Sequence, residues 1–192
     1  MDLSKLFQLQ RQLDERIERE HPRQEGEDRL AKKILALQVE LGELANEWRG
    51  FKFWSNDQEP RTYVQIGCEE CVSGLTYCEE CIRNPLLEEF ADGLHFLLSI
   101  GNDINMNEVY EDYEPKPLYF GDGDILGQFI AIYDWINSLY FHRHEDVNGE
   151  IYDLVFAYFL GLGKMLGFTW EQIEKAYMQK NTVNHQRQES GY

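Results

Sequence analysis

Glu40, Glu43 and Glu47 follow one another at spacings of three and four, and Glu89 precedes Asp92 by three. On a helix, residues so spaced share one face. Each acid of the first set stands one residue before an apolar position (Leu41, Leu44, Trp48), and the second pair lies among Phe90, Ala91 and Leu94. Two helices that pack through those apolar stripes bring the carboxylates together, and like charges so close need a cation or a proton to coexist. Oxygen donors select a hard ion, Mg²⁺ or Mn²⁺, over zinc. Magnesium keeps waters and accepts substrate phosphates as ligands, so the chemistry on offer is to hold and hydrolyse a phosphate chain.

Taken singly, ExxE and ExxD are ordinary solvated helix faces. A third element changes the reading: Lys180, Asn184 and Arg187 recur at i, i+4 and i+7, a cationic and amide-bearing stripe suited to phosphate oxygens. Basic residues near a helix C-terminus also answer the macrodipole. That does not account for Asn181 and Asn184, both poor helix formers.

The elements that carry these residues are legible from periodicity. Leu30, Ile34, Leu37, Leu41, Leu44 and Trp48 alternate steps of four and three, which predicts a helix over 28–53. Leu87, Ala91, Leu94 and Leu98 predict another over 86–100, with Pro85 at its start. Further helices are predicted over 125–140, 151–166 and 170–188, with Gly167 as a C-cap and Thr169 and Gln172 as a capping box. A weaker amphipathic helix covers 3–20. Period-2 runs are absent, so the expected fold is all-α, an antiparallel helix bundle forming one domain over 1–192. The stretches 55–84 and 102–124 are expected to be non-helical.

With 192 residues, 43% hydrophobic and 14% aromatic, the chain has the makings of a folded core. Its 35 acidic against 18 basic residues give a net charge of −17, which repels polyanions and argues against nucleic acid as a partner. The first twenty residues hold no apolar stretch of signal-peptide length. The longest uncharged apolar run, 154–163, is half of a bilayer span, so no membrane is expected and the localisation read from the sequence is cytoplasmic.

In this order, QVELGELANEWRGFKFW, LEEFADGLHFLLSIG and YMQKNTVNHQRQESGY resemble the dimeric all-α dUTP diphosphatase family over most of the chain. More distantly they are similar to MazG-type pyrophosphohydrolases, which share the acidic pairs but not so close a version of the terminal segment. The resemblance implies a Mg²⁺-dependent homodimer that converts dUTP to dUMP and pyrophosphate, with dUDP as a further candidate substrate. It implies Glu40, Glu43, Glu89 and Asp92 as metal ligands, with Glu40 chosen from the catalytic pair Glu40 and Glu43 to activate the attacking water. It further implies Lys180, Asn184 and Arg187 as phosphate and nucleotide contacts. Gln10 lies in a stretch resembling the family's base-contacting first helix, Trp54 is a candidate for the pocket wall, and Lys52 for a phosphate contact. Each of these three also reads as plain surface or core. A pyrophosphohydrolase acting on another nucleotide such as dCTP stands as the alternative within enzymes. Outside them stands a zinc-stabilised helical interaction module whose acids only solubilise it.

All four cysteines fall between the acidic helices, as Cys68-x-x-Cys71 and Cys78-x-x-Cys81, within an insert at about 55–84. Two CxxC pairs so close read as a structural zinc knuckle, with free thiols or disulfides as the alternatives. Asp103, Asn105, Asn107 and Glu114 match four positions of a calcium loop, but Glu108 stands where its sharp turn demands glycine. His142 and His144 read as surface residues at a helix end, and His95 as a satisfied core histidine.

Overall fold

The computed structural model describes residues 3–66, 81–112 and 114–191. Leu3, Leu6, Phe7, Gln10 and Leu13 turn one face of α1 (Leu3–Glu20) into the core. Asp28 opens α2 (Arg29–Trp48) by accepting a hydrogen bond from the Ala31 N–H at 2.9 Å, the usual service of an N-cap carboxylate. This helix stops about a turn earlier than its periodicity predicts. Arg49 adopts a left-handed conformation (φ 65°), and its N–H closes on the Ala45 carbonyl. The next residue must be glycine, since a Cβ on Gly50 would lie 2.4 Å from the Trp48 ring. The Arg49 guanidinium then ties down the following turn through the Asp57 carbonyl (2.7 Å) and carboxylate (3.1 Å).

Strands β1 (Val64–Gln65) and β2 (Ile82–Arg83) pair antiparallel, with Val64 opposite Arg83 and Gln65 opposite Ile82. They are too short to leave a periodic signature. Asn84 caps α3 (Pro85–Asp103) through the Leu87 N–H, and Pro85 occupies the first turn as predicted. Helix α3 runs three residues beyond its predicted end. Within the stretch expected to be non-helical, Met106 and Tyr110 are buried four residues apart and carry a short helix, α4 (Met106–Asp112). Tyr110 packs on Phe7 and Phe156, which supplies the tertiary support that seven residues alone lack.

Asp124 caps α5 (Ile125–Phe141), which is followed by α6 (Asn148–Met165) and α7 (Trp170–Glu189). The capping box of Thr169 and Gln172 forms as expected, and Gly167 takes the left-handed φ of 84°. The protein is thus predominantly helical, with seven helices among the described residues. Helix α3 is central, packed against α1, α2 and α7. Phe90 stacks on Phe159 with ring centroids 4.4 Å apart, joining α3 to α6. No single helix among the described residues is long and apolar enough to cross a membrane.

Candidate active site

Helices α2 and α3 run in opposite directions. Glu40 therefore meets Asp92 at one end of their contact, while at the other Lys33 meets Asp103 across 2.8 Å. Because Leu41, Phe90, Ala91 and Leu94 are buried, Glu40, Glu89 and Asp92 are held half-buried at the edge of the core. One carboxylate oxygen each from Glu40, Glu89 and Asp92 lies within 4.8 Å of the others.

That proximity has an electrostatic consequence. Burial first, then the charges of Asp92 and Glu43, push Glu40 up to about 7. Glu89 is likewise pushed up to about 7 by burial and by Asp92, Glu43 and Glu40. Asp92 is raised by burial, although the Lys180 ammonium that bonds it acts in the opposite direction. Carboxylates that repel one another in a partly desolvated site gain from a shared divalent ion, and their all-oxygen donor set suits Mg²⁺ or Mn²⁺. The residues present therefore fit such an ion.

From α7, Lys180 hydrogen-bonds Asp92, and the charges of Lys180 and Arg187 both act on Glu40. Asn184 and Arg187 face the same cavity, whereas Asn181 turns into the core with 7% exposure. The i, i+4, i+7 stripe is thereby brought opposite the acids.

The cavity has a volume of about 640 Å³ and lies among α1, α2, α3 and α7. Gln10 forms part of its wall, but the amide is committed internally. Its Nε2 donates to Asp14 at 2.9 Å, and its Oε1 accepts from the Tyr177 hydroxyl at 3.1 Å and faces His95 Nδ1 at 2.8 Å. Burial depresses His95 to about 3, so the ring is neutral and carries a single N–H between two oxygen neighbours. The opposite ring nitrogen lies 3.3 Å from the Tyr177 carbonyl, and the ring stacks on Tyr177. This is the core histidine the sequence suggested.

Other expected residues stand apart. Glu43 is exposed and acts on Glu40 and Glu89 through its charge, but it does not join the close trio. Lys52 bonds Asn46, and Trp54, 65% exposed, sits edge-on to Phe51 and Phe53; neither residue belongs to the cavity wall. Glu47 pairs with Arg61 at 3.3 Å, and its second oxygen is buried without a hydrogen-bond partner. Cys68, Cys71 and Cys78 lie outside the described residues, while Cys81 is buried. The calcium-loop pattern is broken up: Asp103 ends α3, and Asn107 belongs to α4. His142 and His144 pair with Glu145 and Asp28 near the surface.

Among the wall residues that went unnoticed in the sequence are Asp14, Lys33 and Ser99. A signal for each was present, because Asp14 is four beyond Gln10, Lys33 seven before Glu40, and Ser99 seven beyond Asp92. Same-face spacing from the candidate residues leads to all three.

Among curated proteins none matches the chain. A family profile described as dUTPase matches it in two stretches, residues 2–80 and 76–192, whose junction falls in the cysteine-bearing segment. The match takes in both acidic helices and the terminal basic stripe that the fold gathers around one cavity, and the chain belongs to the dUTPase family, an enzyme of the dUTP diphosphatase type.

Proposed function

We propose that the protein hydrolyses dUTP to dUMP and pyrophosphate, with Mg²⁺ held by Glu40, Glu43, Glu89 and Asp92 and with Mn²⁺ able to replace it. The observation that carries this reading is the trio of Glu40, Glu89 and Asp92 oxygens gathered within 4.8 Å of one another, with Glu40 and Asp92 sharing a cavity wall with Lys180 and Arg187. When bound, the ion neutralises phosphate oxygens and acidifies water. The chain's own residues do the rest. Glu40, within that trio, is the carboxylate assigned to take the proton of the attacking water. Lys180, Asn184 and Arg187 stabilise the charge that accumulates on the phosphate chain. Gln10, Lys52 and Trp54 are assigned to nucleotide contacts by resemblance alone. For Gln10, the committed amide supports a positioning task in the cavity wall.

Pyrophosphate release from a panel of dUTP, dUDP, dCTP and dTTP tests the assignment. Preference for dUTP is the expected outcome, and preference for a cytosine nucleotide overturns it. Glu43→Gln should lose turnover while remaining folded; retained turnover would return the acids to a solubilising role.

We also propose that the insert at about 55–84 is a zinc knuckle within the single domain, its four ligands being Cys68, Cys71, Cys78 and Cys81. In support, β1 and β2 bring the two ends of the cysteine segment together, with the Ile66 N–H bonded to the Cys81 carbonyl at 2.8 Å. Atomic absorption should find one zinc per chain, lost when Cys68 and Cys71 are replaced by serine. A homodimer, implied by resemblance, is supported by exposed Phe53 (87%) and Phe141 (73%), and sedimentation measures it directly.

A further inference from the structure

One end of the cavity carries the acids and the basic stripe; the other carries a second set of polar groups with no task in phosphate chemistry. Lys33 on α2 approaches Asp14 of α1 at 3.9 Å and Asp103 of α3 at 2.8 Å. The Ser99 hydroxyl donates to the Asp14 carboxylate at 2.9 Å, and Gln10 donates to it from the same helix. Lys33 and Asp14 are 14% and 19% exposed, so both present an edge to the cavity they line.

Their distance from the acids is set by the helices. A rise of about 1.5 Å per residue puts Ser99 about 10 Å beyond Asp92 along α3, and Lys33 the same distance from Glu40 along α2. A deoxynucleoside has that reach from its 5′ phosphate to the far edge of its base. Two antiparallel helices thus measure the same span, with the divalent-ion ligands at one end and a cation beside an acceptor at the other.

Building on the proposed dUTP hydrolysis, we propose that Lys33 and Asp14 read the edge of the pyrimidine and select uracil over cytosine. Uracil presents a carbonyl at C4 and an N–H at N3. The Lys33 ammonium donates to the former, and the Asp14 carboxylate accepts from the latter. Cytosine reverses both features: its amino group meets an ammonium, and its N3 lone pair meets a carboxylate. A site built for one pattern rejects the other because cytosine sets donor against donor at Lys33 and acceptor against acceptor at Asp14. Gln10 and Ser99 fix the Asp14 carboxylate and act as positioning residues. An ion triad that merely ties α1, α2 and α3 together would discriminate between no bases, and this separates the two roles.

The test is calorimetric binding of dUMP and dCMP in Mg²⁺ to the full chain and to Lys33→Met and Asp14→Asn, alongside kcat and KM for dUTP and dCTP. Loss of a charge-assisted hydrogen bond should weaken dUMP binding by about tenfold or more in Lys33→Met, with dCMP little changed. In kinetics the loss should fall on KM, with kcat held within about threefold. Asp14→Asn can turn an amide N–H toward cytosine N3 and should shift the dCMP-to-dUMP affinity ratio by about tenfold toward cytosine. Competition by pyrophosphate should be the same in all three proteins. Parallel weakening of dUMP and dCMP, or no change in their ratio in either variant, overturns the proposal. If Lys33→Met does not fold, the ratio in Asp14→Asn decides alone. Should the unaltered chain bind dUMP over dCMP yet fail to cleave dUTP, the hydrolysis reading falls while base selection by Lys33 and Asp14 stands on the binding ratios.

Discussion

The Lys180 ammonium is hydrogen-bonded to the Asp92 carboxylate, linking α7 to α3 at the acidic end of the cavity. It is a cation set among Glu40, Glu43, Glu89 and Asp92, and it acts on Glu40 and Glu89 as well as on its direct partner. A divalent ion bound by the same acids would compete with it for Asp92, and a phosphate chain would offer the displaced ammonium new partners.

Lys180→Met should therefore act in two directions. Removing a neighbouring positive charge should tighten Mg²⁺ binding in the absence of nucleotide, read by calorimetry. Removing a charge-assisted phosphate contact should raise KM for dUTP by tens of fold, the equivalent of about 1.5–3 kcal/mol. Unchanged Mg²⁺ affinity would show that Lys180 and the ion do not share Asp92.

The raised acids give a pH dependence with a definite sign. Glu40 and Glu89 have folded values of about 7 against an ordinary 4.5, so between those values the folded protein holds protons that the unfolded chain has shed. Without divalent ions, stability should fall as pH rises through that window. Asp92 is raised and acts in the same sense, whereas Glu27, lowered to about 2, loses its contribution only below the window. Saturating Mg²⁺ requires the ionised carboxylates, so its stabilisation should grow over the same interval. Thermal melts from about pH 5 to about pH 8, with and without Mg²⁺, check both slopes. Glu89→Gln should flatten the metal-free slope, raise the midpoint near neutral pH and abolish most turnover, the trade of stability against function expected of a strained site.

Much of this site was readable from spacing alone, for a physical reason. Helical periodicity fixes which acids share a face, and the apolar neighbours of Glu40, Glu89 and Asp92 fix which face is buried. The capping box at Thr169 and the proline start of α3 are local rules that tertiary structure left intact. What escaped was decided by long-range packing. The end of α2 depends on the left-handed Arg49 and its hold on Asp57, and α4 depends on Tyr110 finding Phe7 and Phe156. Lys33 and Asp14 carry no signal of their own in the sequence because their significance lies in a partner on another helix. Glu43 shows the converse: motif spacing places it with Glu40, yet in the fold it contributes charge from the exposed rim.

Gln10 tests whether resemblance or geometry better describes a residue. Its amide joins Asp14 on its own helix to His95 of α3 and Tyr177 of α7, and it is 3% exposed. Gln10→Ala strips a polar neighbour from His95 and leaves the Tyr177 hydroxyl to the more distant Leu6 carbonyl at 3.4 Å, at a cost of about 1–3 kcal/mol. The loss should appear in denaturant midpoint whether or not nucleotide is present. A variant that keeps its midpoint and loses only dUMP affinity would make Gln10 a direct base contact.

Gly161 offers a control remote from the chemistry. A Cβ there would lie 1.8 Å from the Leu118 carbonyl oxygen, so α6 and the segment before α5 touch backbone to backbone. That carbonyl cannot readily retreat, because the Leu118 N–H is bonded to the Ala157 carbonyl at 2.9 Å and its oxygen accepts from Gln128 at 2.9 Å. Gln128 is fully buried and also serves the Tyr158 carbonyl and the Phe120 N–H, so displacing it strands several polar groups at once. Gly161→Ala should destabilise the protein by about 1–3 kcal/mol or more, from overpacking and lost hydrogen bonds. The acids sit on α2 and α3, which this clash does not touch. Below the unfolding transition, Mg²⁺ affinity and kcat should therefore match those of the unaltered chain. A fall in Mg²⁺ affinity without a fall in denaturant midpoint would show that α5 and α6 position the acids after all.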